Sequence, residues 1–338
     1  MPSAAELVAI LECRDSLAIA CHDNPDPDCL ASALALETIA DEAGIEDVTI
    51  AYGGEISHQQ NRAFVSLLEL SLRALAETDV GDYDAVAFVD HSQPGANTEL
   101  PATVRPEIVV DHHPGDPVEG EFVDVRVDYG ATATIFVEYL EELGIEPTSR
   151  LASALLFALH RERLDFVRNP TAREYETALA IYPRADLELL DQLYGSAFSA
   201  PTLDAIGRAI ATRQQRGSSM VATVGRTTET DALPQAADYL LNLEGVDTVL
   251  VYGVVDDAIR LSARSIDPAI HIGEAVSDGF DELGSAGGHH DMAGGRIELA
   301  AIAEDVDPDA RDLLTVVGSR LPKRFFAVLE PETDADDA

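Results

Sequence analysis

Residues 16–32 read SLAIACHDNPDPDCLAS, and the fold follows from how this stretch divides. Leu17–Ala20 is a short apolar strand. The polar run His22-Asp23-Asn24-Pro25-Asp26-Pro27-Asp28 follows it at once, stiffened by its prolines. From Leu30 to Ala43 the pattern is that of an amphipathic helix, with Gly44 placed to end it. Strand, polar turn and helix form half of a βαβ unit, and the alternation continues outward. Strands are predicted at Val48–Ala51, Ala85–Val89 and Ile108–Val110, with a helical stretch at Asn61–Leu70. Short apolar strands separated by helices predict an α/β fold with a doubly wound, mostly parallel sheet.

At 338 residues the chain has room for about two domains. Residues 131–194 read as mostly helical, including Ala131–Leu143 and Arg150–His160, and a boundary follows at Tyr194–Pro201. We expect a first domain over 1–195, a helical linker over 196–219 and a smaller mixed α/β domain over 220–330. In the second domain strands are predicted at Val221–Gly225, Val249–Val255 and Ile259–Ala263, with helices at Pro234–Leu243 and Ile272–Phe280. Pro331–Ala338 is acidic and aperiodic, the composition of a disordered tail.

The chain carries 62 Asp plus Glu against 22 Lys plus Arg, a formal net charge of -40, and its only lysine is Lys323. Acid spread through the whole chain fits a protein working in molar salt, where self-repulsion is screened within about 3 Å at 1 M. At face value that charge disfavours long nucleic acids, whose binding rests on basic contacts to phosphate. In concentrated salt, substrate must be held by short-range contacts and metal ions. No apolar run approaches the ~18 residues of a membrane span, and no secretory signal is visible in Met1–Glu12. Cys13, Cys21 and Cys29 form no CxxC pair and read as small buried residues of a reducing cytoplasm.

Three clusters of acid and histidine fall just beyond predicted strand ends: His22–Asp28, Asp90-His91-Ser92 and Asp111-His112-His113. In an open α/β sheet, ligands bind in the crevice outside the carboxyl ends of the strands. Carboxylate with imidazole favours Mn, Fe, Co or Zn over Ca or Mg. A carboxylate from a neighbouring strand, Asp90, could bridge two ions about 3.5–4 Å apart, an arrangement suited to phosphoryl transfer. Taken singly, Asp23, Asn24 and Asp26 read equally as turn and N-cap residues, and His112-His113 as a solvated pair. Three clusters at successive strand ends point to a metal site. His91 reads as a residue behind the ligands, Ser57 as a helix cap, and His58 and Asn61 as residues near the cleft.

These motifs resemble those of the DHH phosphoesterase superfamily. His22–Ser32 (HDNPDPDCLAS), Phe88–His91 (FVDH) and Val110–His113 (VDHH) stand in the family's order. Gly284–Gly295 (GSAGGHHDMAGG) is similar to the GGGHxxAAG signature of the DHH-associated C-terminal domain, with Ala286 and Met292 as departures. The arrangement looks most like the compact nanoRNase and phosphoadenosine-phosphate phosphatase branch with a RecJ-like core, here of haloarchaeal type. The resemblance implies two divalent ions, Mn first among them. His22, Asp26 and Asp90 would hold one ion, and Asp28, Asp90 and His112 the other. His113 would contact the scissile phosphate as donor or acid, and a water activated by the ions would attack phosphorus without a covalent intermediate. In the second domain, Arg264, Ser265, Gly287, Gly288 and His289 would grip the phosphate and nucleotide.

The fourth family motif, GIxTDTGxF, is where this chain departs. The corresponding segment, Ala158–Phe166, places Glu162 at the expected Asp, flanked by Arg161 and Arg163, with Asp165 as a second candidate. The expected activity is a Mn-dependent phosphoesterase acting on short oligonucleotides or on a nucleotide 3'-phosphate. The alternatives are a RecJ-like single-strand exonuclease and a non-catalytic nucleotide-binding or partner subunit. No membrane partner is expected, and the exposed helix face within 131–194 is a candidate homodimer surface.

Overall fold

The computed structural model describes residues 2–56, 58–95, 97–163, 165–166, 170–195, 199–302 and 312–329. The Ser57 cap, part of the expected domain boundary and the acidic tail lie outside them. The chain divides into two compact units, Met1–Ala197 and Phe198–Ala338.

In the first unit the elements are α1 (Ala4–Leu11), β1 (Ser16–Asp23), α2 (Pro27–Glu42), β2 (Asp47–Gly53), α3 (Gln59–Leu67) and β3 (Leu72–Ala74). They continue with β4 (Ala85–Val89), β5 (Ile108–Asp111), β6 (Phe122–Val125), α4 (Thr132–Leu143), α5 (Ser149–Glu162), α6 (Ala172–Ile181) and α7 (Leu187–Gly195). The sheet order is β3-β2-β1-β4-β5-β6 and every described pairing is parallel. The order reverses between β1 and β4, so the switch point lies at the carboxyl ends of those two strands. The short strands β3 and β6 were not predicted; β3 has three residues, none fully buried, and β6 buries Asp124 with Phe122, so neither shows an apolar run.

Strand alternation divides the core. Leu17, Ile19, Ala87, Val89 and Val110 face the helices, packing with α2, α4 and α5. Ala18, Ala20, Val86, Phe88 and Val109 face the other way, covered by Leu75, Val80 and Leu100 from 3-10 turns and coil. Asp26 is the N-cap of α2, its Oδ1 accepting from Asp28 N at 2.9 Å and Cys29 N at 3.1 Å, with Pro27 at the first helical position.

The second unit contains α8 (Ala200–Thr212), β7 (Gln214–Arg216), β8 (Ser219–Arg226), α9 (Ala232–Leu241), β9 (Thr248–Val255), β10 (Ala258–Ser265), α10 (Ile272–Phe280), β11 (Gly284–Gly288), β12 (Met292–Glu298), α11 (Leu299–Ile302) and α12 (Asp312–Leu329). Its sheet order is β11-β12-β10-β9-β8-β7, with β8 and β9 parallel and the remaining pairs antiparallel. The helix expected as a linker, α8, packs Ala205, Ile206 and Ala209 into one core with α9, β8 and β9. On the opposite face β10 and β12 bury Leu261, Ala263 and Ile297 against α10 and α12. Most of the glycine-rich segment is strand: Gly284–Gly288 and Met292–Glu298 pair as a hairpin.

Among the described residues, no helix is long and apolar enough to cross a membrane.

Candidate metal centre and second-unit cavity

The ends of β1, β4 and β5 converge. Among the described residues, two groups hold ligand atoms within 4.8 Å of one another: His22–Cys29–Asp90 and Asp90–His112–His113. Asp90 belongs to both. It follows β4 with φ +63, in the left-handed region where Asp is tolerated, and its N–H donates to Val110 O at 2.9 Å. The backbone turn is thus fixed by the neighbouring strand, and the carboxylate is aimed off the sheet edge.

The histidines are oriented through their other ring nitrogens. His22 Nδ1 lies 3.0 Å from Asp23 O, and His112 Nδ1 lies 3.2 Å from Tyr129 O. A carbonyl accepts only, so each Nδ1 carries a proton, and it is Nε2 that a neutral ring would offer to a cation. His22 Nε2 stands 3.6 Å from Asp90 Oδ2; His112 Nε2 stands 3.6 Å from Asp90 Oδ1 and 3.8 Å from Asp28 Oδ2. These separations exceed hydrogen bonds. His112 Nε2 is buried without a partner. A lone pair among carboxylates in a buried site fits a cation, and backbone-anchored imidazole is the usual support of a metal ligand. The residues present therefore fit divalent metal ions.

Asp28 is nearly fully buried and takes Thr132 N and Ala133 N, both at 2.8 Å, from the first turn of α4. Burial pushes its carboxyl up and the His112 imidazole opposes this. Burial likewise holds Asp90 well above the usual range, reinforced by Asp28, while Thr132 Oγ1 donates to Asp90 Oδ1 at 2.7 Å. Burial works against charge on His22, but Asp90 and Asp26 outweigh it and push it up to about 10. Without metal, the cluster keeps protons at neutral pH. Because the helix cap uses Oδ1 of Asp26, a metal would have to be held by Oδ2.

His113 is half-exposed. Its Nδ1 donates to Asp111 Oδ1 at 2.9 Å, and that partner raises it to about 9 against the effect of burial. The sequence reading named Asp111 in its cluster but gave it no role; its Oδ1 also accepts both the His112 and His113 backbone N–H groups. That reading passed over Thr132 and the Tyr129 carbonyl; the small-residue run Gly130–Thr134 opening a helix was the available signal. His91 stacks on Phe88 and puts Nδ1 3.0 Å from Val89 O; burial lowers it to about 4. His58 is the described cap of α3, and Asn61 Nδ2 donates to Pro25 O.

Glu162 ends α5. Burial, then the Asp26 and Asp28 carboxylates, push it up to about 8. Asp165 is turned elsewhere: its exposed carboxylate pairs with His160 Nδ1 at 3.1 Å and Tyr194 OH at 2.7 Å. Cys29, fully buried, donates Sγ to Val89 O.

In the second unit, a cavity of about 780 Å³ opens on the sheet face not covered by α10 and α12. Gly287, Gly294 and Gly295 make a low floor, with Arg260, Arg296, Ser262 and Ser285 around it. Of the five residues expected there, Gly287 lines the cavity, and Arg264 alternates onto the same face as Arg260 and Ser262 but is tied to Asp238 Oδ1 at 2.9 Å. The other three have structural jobs. Ser265 is buried, with Oγ 2.9 Å from Thr248 Oγ1. Gly288 backs onto β12 so closely that a Cβ would meet Met292 O at 2.4 Å. His289 N donates to Met292 O at 2.7 Å to close the hairpin. Arg260, Arg296, Ser262 and Ser285 were missed because which strand residues share a face depends on register.

Residues 16–159 match the DHH family, N-terminal domain, and residues 217–315 match the DHHA1 domain. An uncharacterized protein of Methanocaldococcus jannaschii is 35% identical over 301 residues, covering 88% of this chain and 61% of that protein. A probable manganese-dependent inorganic pyrophosphatase of Bacillus mycoides is 30% identical over 165 residues, covering 47% of this chain and 51% of its own. The chain thus spans between half and two thirds of the length of these relatives. In fold, it is similar to an exopolyphosphatase-related protein from Bacteroides fragilis (TM-score 0.73, 14% identity, 97% of both chains). It is also similar to exonuclease RecJ bound to manganese (TM-score 0.53, 16% identity, 97% of this chain and 94% of that one). The chain thus carries a DHH family N-terminal domain followed by a DHHA1 domain.

Proposed function

We propose that this protein is a manganese-dependent phosphoesterase that hydrolyses short oligonucleotides or removes a nucleotide 3'-phosphate. The observation that carries this reading is Asp90, shared by two groups of potential ligand atoms at the switch point of the sheet. His22, Asp26 and Asp90 would hold one ion; Asp28, Asp90, His112 and Glu162 the other. Bound there, the ions would neutralise phosphate charge and activate a water. Asp90, fixed by Val110 O and Thr132, would help to hold both ions. His113, protonated through Asp111, donates from Nε2 to a phosphate or leaving oxygen. We assign the glycine-floored cavity, with Arg260, Arg264 and Arg296, to substrate groups away from the scissile bond; backbone amides and guanidinium suit phosphate.

Support also comes from the RecJ-like fold and the manganese-dependent relatives. A second reading, a nucleotide-binding subunit that does not hydrolyse, is favoured by Glu162 in place of the family's Asp, with Arg163 beside it. The deciding assay incubates the full chain with Mn2+ in concentrated KCl. It follows mononucleotide from a labelled pentanucleotide, and phosphate from phosphoadenosine phosphate and from pyrophosphate. Turnover of either nucleotide substrate, abolished in Asp90→Ala, supports the phosphoesterase. Turnover of pyrophosphate alone would move the reading to the activity named for the Bacillus relatives. Nucleotide binding without turnover would favour the subunit.

A further inference from the structure

A five-residue strap, Tyr129–Ala133, lies against three candidate ligands at once. Tyr129 O accepts from His112, Thr132 N and Ala133 N hold Asp28, and Thr132 Oγ1 holds Asp90. What holds the strap lies on its other side. The Tyr129 hydroxyl accepts from Arg126 Nη1 at 3.0 Å and Arg173 Nη1 at 2.7 Å, and donates to Glu138. Both guanidinium groups sit over the Tyr129 ring, 4.9 and 4.5 Å from its centroid. Arg126, itself buried, also grips Asp124 through Nε and Nη2, and Tyr139 OH donates to the same carboxylate. Beside this, Gly130 N donates at 2.8 Å to the fully buried Glu174, whose Cδ would lie 2.4 Å from any Cβ at residue 130.

None of the described contacts of the Arg126, Glu138 and Arg173 side chains is to a candidate ligand. Burying Arg126 against Asp124 is a poor route to stability alone, since apolar residues of similar volume serve as well. A saturated ionic network does specify one geometry. We propose that Arg126, acting through Tyr129, is a positioning residue for the metal centre, fixing the strap that orients His112, Asp28 and Asp90. The inference rests on the two-ion reading above. Its distinctive consequence is asymmetry: the strap holds Asp28 and His112, which would serve one ion alone, and reaches the other ion only through the shared Asp90, with no described contact to His22 or Asp26.

The test titrates Mn2+ into the full-length wild type, Tyr129→Phe, Arg126→Lys and His112→Ala. Bound ions are followed by electron paramagnetic resonance and total metal analysis, with thermal unfolding of each metal-free protein alongside. His112→Ala identifies which ion is lost with that ligand. In Tyr129→Phe that same ion should weaken about 10- to 100-fold, as for other supports of metal ligands. The second ion should stay within a few-fold, and Arg126→Lys should show the same split. Equal weakening of both ions, or no weakening with a lowered metal-free melting temperature, would show a merely structural cluster and overturn the proposal. If Arg126→Lys does not fold, Tyr129→Phe, which keeps the strap backbone and both arginines, decides alone. A wild type that takes up no Mn2+ overturns the proposed function, and this inference with it; intact two-ion binding in every strap variant overturns this inference alone.

Discussion

His112 turns its Nε2 toward Asp90, 3.6 Å from Oδ1, with no hydrogen bond to satisfy either the lone pair or its burial. Such a contact costs stability until a cation enters. Mn2+ should therefore stabilise the protein. At a hundredfold excess over its dissociation constant, one site is worth about 2.7 kcal/mol. That is roughly 5–10 °C in melting temperature for a unit of this size, reversed by chelator. His112→Ala should shrink the rise and lower hydrolysis on the order of 10³-fold, several kcal/mol of transition-state stabilisation. An unchanged melting temperature across a Mn2+ titration would remove the metal centre.

Metal uptake should release protons. His22, pushed up to about 10 by Asp90 and Asp26 against its burial, and Glu162, pushed up to about 8 by burial and by Asp26 and Asp28, both carry a proton at pH 7 without metal. Both pKa values are raised, so the proton is held more tightly below them and must leave for the metal. Mn2+ affinity should fall as pH drops below about 8 and rise above it. Calorimetry in two buffers of different ionisation enthalpy should report net proton release at pH 7. A heat independent of buffer contradicts the arrangement.

Glu162→Gln separates a ligand from a bystander. The amide keeps size and loses charge, so metal analysis should show one ion in place of two, with activity lost in step. Two tightly held ions in the variant would place Glu162 outside the coordination sphere.

Arg260 stands exposed at the cavity of the second unit, on the strand face that Ser262 and Arg264 share. Arg260→Gln should raise KM for an oligonucleotide several-fold, worth about 1 kcal/mol, with kcat nearly unchanged and metal content intact. A loss confined to kcat would count against a substrate-gripping role.

With a net charge of -40, the fold is expected to depend on screening. Raising KCl from 0.1 to 1 M shortens the Debye length from about 10 to about 3 Å. The melting temperature should climb over that range, as measured by circular dichroism. A flat or falling profile would argue against salt adaptation.

Much of this protein was legible from residue order because the governing interactions are local. Apolar runs such as Leu17–Ala20 and Ala85–Val89 announce buried parallel strands, and a carboxylate or imidazole right after each must emerge at the strand's carboxyl end. That argument reaches His22, Asp90 and His112 without coordinates. It does not reach residues whose role depends on what lies across a gap. Thr132 meets Asp90 from 42 residues away, and Asp28 takes its amides from a helix 104 residues on, so no spacing rule links them. Register likewise decided that Arg260 and Arg296 share an open face while Ser265 turns into the core, since a strand sends alternate residues to opposite sides. Local sequence thus determined which chemistry arrives at the sheet edge; the packing of distant segments decided which atoms face one another there, because burial and hydrogen-bond partners exist only once the chain has closed on itself.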